Sequence, residues 1–142
     1  MLKRDIVFRG KRVDNGQWVE GFYSNLYNEE KCEEQSIITY QNFYAADMSY
    51  PYPSVNTVEA EVDPETVGQF TGMTDKNGTK IFEGDIVKEQ YKSHEIIYNV
   101  YWDEDYFAFR VKSKDYSYYL DELVPSNSEV IGNIHDNKEL LK

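Results

Sequence analysis

The chain has 142 residues, enough for one domain with its own core, and its single cysteine, Cys32, excludes an internal disulfide. Its 26 acidic and 15 basic side chains leave a net charge of −11, spread as 12 acids and 6 bases over the first 71 residues and 14 acids and 9 bases over the rest. Phosphate backbones are held by Lys and Arg that displace counterions, so this balance disfavours direct nucleic-acid binding, and no run approaches the roughly 18 apolar residues of a membrane helix.

The first twelve residues place charges on both sides of a three-residue apolar run, unlike a secretory signal. With one cysteine, this gives an expected cytoplasmic location. Next, Ile6–Arg12 and Gln17–Tyr23 flank Asp14-Asn15-Gly16, which predicts a hairpin closed by a two-residue turn with Gly16 at a positive φ. Ser36–Gln41 predicts a further strand. Residues 42–56 hold Pro51, Pro53 and four aromatic side chains, and prolines cannot donate ladder hydrogen bonds, so a loop or ragged edge is expected. Thr57–Val62 alternates as a strand does. Asp63-Pro64 then predicts a short helical turn through Val67, with Asp as cap and Pro at the first position.

In the second half, Asp75-Lys76-Asn77-Gly78 and Glu83-Gly84 are turn signals on either side of Lys80–Phe82. Asp85–Gln90 and Glu95–Trp102 predict strands, the latter with Ile96, Tyr98, Val100 and Trp102 on one face. Asp103-Glu104-Asp105 makes a loop. Tyr106–Lys112 returns with Phe107, Phe109 and Val111 on one face. Tyr118–Val124 predicts a strand end and a tight turn stopped by Pro125, Glu129–His135 the last strand, and Asp136–Leu141 a terminal helical turn. Aromatic residues, 15% of the chain with 13 tyrosines, suit pleated surfaces and also interfaces. Five short strands joined by tight turns suit a small closed or rolled barrel of SH3-like type.

Three segments carry a family resemblance: Arg4–Arg9, VGQFTGMTDKNGTKIFEGDIV from Val67 to Val87, and VIGNIHDNKELL from Val130 to Leu141. This pattern resembles the YopX family, small proteins of bacteriophages and prophages. The resemblance implies a mostly-β fold with an SH3-like roll, a phage or prophage origin in a bacterial host, and no established catalytic residues. Residues 1–142 then read as a single YopX-like domain, with an N-terminal β-hairpin and sheet region over 1–66 and an SH3-like roll with short helical turns over 67–142. Gly72, Gly78 and Gly84 recur at intervals of six, each beside a turn signal, which predicts a structural role in backbone turns.

Chemistry-bearing motifs are sparse. Gly72–Thr79 fails the phosphate-loop spacing, because Gly78 is followed by Thr79 and then Lys80. Asp75–Gly78 fails as an EF-hand in either register, since one puts Lys80 where glycine is needed and the other puts Met73 at the first ligand. Asp103, Glu104 and Asp105 read as a solvated loop tip rather than a cation site. Cys32, His94 and His135 have neither zinc spacing nor a nucleophile motif. No cofactor or metal is expected. The segment Phe43, Tyr44, Tyr50, Pro51, Tyr52 and Pro53 offers rigid amphipathic contact area, so Phe43, Tyr44, Tyr50 and Tyr52 are the candidate interaction residues.

The leading expectation is a non-enzymatic module that binds a host or phage protein, or itself as a homo-oligomer. The alternatives are an acidic mimic of nucleic acid that regulates a nucleic-acid enzyme, and a small-ligand binder or enzyme on a β scaffold.

Overall fold

The computed structural model describes residues 4–44 and 54–142. It is mostly β and divides into two compact units, one formed by Ile6–Val67, the other by Gly68–Lys142 with the N-terminal segment.

In the first unit, β1 (Phe8–Arg12), β2 (Trp18–Asn28), β3 (Glu33–Tyr44) and the first part of β4 (Ser54–Thr74) pair antiparallel in chain order. β1 also pairs with β4, so the four strands close on themselves. The interior is small. Ile38, Ala60 and Val62 are buried there, and a Cβ on Gly10 would lie 3.0 Å from that of Val62. Tyr23 packs its ring, tilted, against Phe8 at 5.6 Å between centroids and bonds Ser36 through its hydroxyl at 3.1 Å.

Three local expectations are corrected here. The β1–β2 loop has four residues, closed by Arg12 N–H donating to the Gln17 carbonyl at 2.8 Å. Asn15 spends its side chain on the Gln17 N–H at 2.9 Å, and Gly16 takes φ +71°. The expected two-residue turn is too short for this. The β3–β4 ladder continues to Tyr44↔Ser54, so Asn42, Phe43, Val55 and Asn56 belong to strands rather than a loop. Tyr50, Pro51, Tyr52 and Pro53 lie outside the described residues. At Asp63-Pro64-Glu65 there is no helical turn, and β4 runs straight through. Asp63 accepts from Glu65 N–H at 3.0 Å and its carbonyl takes the Thr66 hydroxyl at 2.7 Å. These local bonds satisfy the groups a helix would have used, and proline's φ also suits extended backbone.

In the second unit the end of β4 pairs with β5 (Lys80–Phe82), and a five-stranded antiparallel sheet follows in the order β10-β6-β7-β8-β9. Its strands are β6 (Asp85–Tyr91), β7 (His94–Asp103), β8 (Ala108–Lys112), β9 (Ser117–Tyr119) and β10 (Ser128–Asn133). Two 3-10 turns, Leu120–Glu122 and Pro125–Asn127, return the chain so that the last strand lies beside the first; a third, Lys138–Leu141, ends it. Pro125 therefore opens a turn rather than only stopping one. Ile81, Val87, Tyr98, Val100, Val111, Leu120 and Leu123 form the core, with Ile96 and Phe109 packed against it. Phe107 departs from the expected apolar face. It sits in the β7–β8 turn at φ +49° and is 81% exposed.

Side chains fix the turns of this unit. The buried Asp75 carboxylate accepts from Asn77 and Thr79 N–H through Oδ1, each at 2.9 Å, and from Val130 N–H through Oδ2 at 2.9 Å. Gly72, Gly78 and Gly84 have φ of +90°, +78° and +88°. Glu89, also buried, takes Val124 N–H at 3.0 Å and the Tyr118 hydroxyl at 3.4 Å, tying β6 to the returning chain. The β10 edge is filled: Val130 N–H goes to Asp75, the Ser128 carbonyl takes Lys76 N–H at 3.0 Å, and Asn133 N–H goes to Asn137 Oδ1 at 3.2 Å. An edge so occupied has little left to offer a strand from another molecule.

Candidate interaction surfaces

Of the residues flagged from sequence, Phe43 and Tyr44 fall at the end of β3, opposite Val55 and Ser54, and Tyr50 and Tyr52 fall outside the described residues. The structure brings forward two other groups of side chains, one on each unit.

The first is built on β7, β8 and β9. Arg110 lies across from Tyr101 and Tyr119 in register. Its guanidinium is held between two rings, 4.5 Å from the centroid of Tyr106 and 4.7 Å from that of Tyr119, and the rings meet edge to face at 5.9 Å. Nε lies 3.4 Å from Asp103 Oδ2, an ion pair without hydrogen-bond geometry. Nη2 reaches both the carbonyl and the hydroxyl of Ser117 at 3.3 Å, and Ser117 bonds the Tyr101 hydroxyl at 2.9 Å. Asp103 also takes the Asp105 N–H at 3.0 Å, which shapes the loop. The result is a braced hairpin tip carrying exposed Tyr106 and Phe107, with Trp102 41% exposed and meeting Phe109 edge to face at 5.1 Å. Arg, Tyr and Trp are the residue types in which energetically dominant interface positions are enriched.

The second group is the outer face of β2, β3 and β4. Inward residues Ser36, Ile38 and Ala60 are buried. Alternation puts Phe22, Leu26, Ile37, Val55, Glu59 and Glu61 on the opposite face. There Phe22 is 74% exposed and Leu26 49%. The acidity is also less even than a split at residue 71 indicates: residues 6–67 hold eleven acids and four bases, net −7, against fifteen and eleven, net −4, elsewhere.

Both groups are hard to see from sequence. Apolar side chains at Phe22, Tyr23, Leu26 and Tyr27 fall on both parities of β2, so alternation cannot name the inner face. Phe107 fits an alternating core pattern that its positive φ breaks.

Two shallow cavities lie in the second unit. One of about 490 Å³ is lined by Ile96, Asn99, Lys112, Lys114, Tyr116 and Leu140, among others. One of about 460 Å³, lined by Met73, Phe109, Tyr119, Leu120 and Asp121, opens beside the aromatic stack. Glu83, whose carboxyl burial pushes above its usual pKa against the pull of Gln69 N–H, lines neither. Burial likewise raises the Tyr98 and Tyr118 hydroxyls, the second of which donates to Glu89. Among the described residues no group of three His, Cys, Asp or Glu could hold a metal ion, and no helix is long and apolar enough to cross a membrane.

The family model described as YopX protein matches residues 7–142. No curated protein matches the chain. Among solved structures it is similar to the crystal structure of protein EF1440 from Enterococcus faecalis, with a TM-score of 0.59 and 21% identity over 99% of this chain and 100% of that one. At that identity the likeness concerns the fold. The family match runs over nearly the whole sequence, and the chain belongs to the YopX family.

Proposed function

We propose that this is a non-enzymatic protein-interaction module of phage or prophage origin, with β6–β10 forming an SH3-like roll that presents the Arg110 hairpin tip to a host or phage protein in the bacterial cytoplasm. The carrying observation is Phe107. A bulky side chain at positive φ is strained, and one that is 81% exposed recovers nothing by burial. Glycine would serve this turn better. A phenylalanine kept there, braced by the Tyr106–Arg110–Tyr119 stack, is shaped for contact rather than for stability. Phe43, Tyr44, Tyr50 and Tyr52 are a separate candidate contact segment, argued from sequence alone.

Phe107→Gly is therefore expected to raise stability by about 0.5–1 kcal/mol, the relief of left-handed strain less glycine's added chain entropy. The same variant should lose its partner. Affinity capture from nuclease-treated host lysate, with wild type and variant as baits, tests this. A stoichiometric protein recovered only by wild type supports the reading. Equal recovery by a bait of equal or greater stability would sink it.

A further inference from the structure

We propose that the outer face of β2–β3–β4 is a docking surface for a basic, amphipathic, extended segment of another protein. This rests on the first unit alone and does not depend on the hairpin tip of the second.

The register sets the geometry. Phe22 lies opposite Thr39, Ser24 opposite Ile37 and Leu26 opposite Gln35, so Phe22 and Leu26 are both diagonal neighbours of Ile37. These three make an apolar triangle across two strands, within reach of side chains laid over the sheet. On the next strand Thr39 faces Glu59 and Ile37 faces Glu61, which places two carboxylates along one side of the triangle. Glu33, opposite Asn28, stands at its end on the same face. Lys31, from the β2–β3 turn, already leans on Glu61 at 3.8 Å. A cationic side chain can therefore reach this rim.

Charge selects the occupant. A unit of net −7 repels anionic headgroups and phosphate backbones. A second copy would bring the same net charge of −7 to the contact, which opposes self-association through this face. A segment alternating Lys or Arg with apolar residues matches both features at once, because in extended backbone its two kinds of side chain reach apolar centre and acidic rim from one strand.

The probe is a labelled synthetic peptide of roughly ten residues in which Lys alternates with Val, compared with a peptide of the same composition with its valines grouped, and with oligolysine. Fluorescence anisotropy on the full chain, at about 50 and about 300 mM salt, should show saturable one-to-one binding of the alternating peptide that weakens steeply with salt. Phe22→Ser with Leu26→Ser should weaken it about tenfold or more, the worth of two lost apolar contacts. Glu59→Gln with Glu61→Gln should flatten the salt dependence. Both pairs lie on the outer face, and unchanged melting temperatures would confirm that folding is intact. Amide shift changes confined to residues 22–26, 35–39 and 59–61 would place the peptide. Equal affinity for oligolysine, shifts in the second unit instead, or a concentration-dependent dimer dissolved by Phe22→Ser would each overturn the proposal.

Discussion

Asp75→Ala is expected to destabilise the second unit by about 3 kcal/mol, because it takes a buried, charged acceptor away from three part-buried backbone N–H groups at once. One carboxylate holds both the 75–79 turn and the start of β10, residues 55 apart in sequence. Asp75→Asn should cost about 2 kcal/mol, since the amide oxygen can keep Asn77 and Thr79 while its NH2 would face the Val130 N–H, donor against donor. Burial is the largest single influence on this carboxyl and pushes its pKa up, but the N–H groups of Val130, Asn77 and Thr79 outweigh it and bring the value below the ordinary 3.8. A depressed folded-state pKa gives stability that is fully present above 3.8 and is lost as pH falls through the folded value. The gap between wild type and Asp75→Asn should thus be constant from about pH 5 to 7 and close progressively below about pH 4. Urea unfolding followed by Trp102 fluorescence, in a Trp18→Phe background, measures it. A loss for Asp75→Ala below about 1 kcal/mol, or a gap unchanged at low pH, would remove Asp75 from this role.

How legible such features are in sequence depends on what kind of interaction makes them. The turns at Asp75–Gly78 and Glu83-Gly84 are local chemistry, a short polar side chain and a residue free of Cβ, and their positions follow from composition alone. That Asp75 also reaches Val130 is long-range and has no local signature. The hairpin of β1 and β2 was readable from Asn15-Gly16, but its loop length depends on the Arg12–Gln17 pairing, which in turn depends on register. Asp63-Pro64 shows the converse: a helix-start signal overridden because β4 is already committed to pairing on its neighbours. The exposed surfaces were the least legible. Alternation tells that a strand has two faces and not which one is covered, so Phe22 and Leu26 look like core residues until Ile38, Ala60 and Val62 are seen filling the other side. The same ambiguity hid Phe107, whose neighbours Phe109 and Val111 do face inward.

Gly21→Ala is expected to cost about 3 kcal/mol or more in the first unit, at the upper end of what forcing extra volume into a packed site does. A Cβ there would fall on the Thr39 carbonyl oxygen, and close against Ile38. The obstruction is backbone, which cannot rotate away as a side chain would. The reason lies in closure: with β1 paired to both β2 and β4, four strands enclose so little space that Gly10 and Gly21 stand where side chains would collide. Gly72→Ala is the informative control. Nothing lies within 4 Å of a Cβ at that position, and only its φ of +90° opposes the change, so about 1–2 kcal/mol is expected. Thermal melts of the two variants should therefore differ, with Gly21→Ala the worse. Because Phe22 follows Gly21 and pairs with Thr39, the alanine should also displace the apolar triangle and abolish binding of the alternating Lys–Val peptide at temperatures where the chain is still folded. A Gly21→Ala variant as stable as wild type would mean that the ring is looser than its contacts imply, and the precise placement of Phe22, Leu26 and Ile37 that docking requires would go with it.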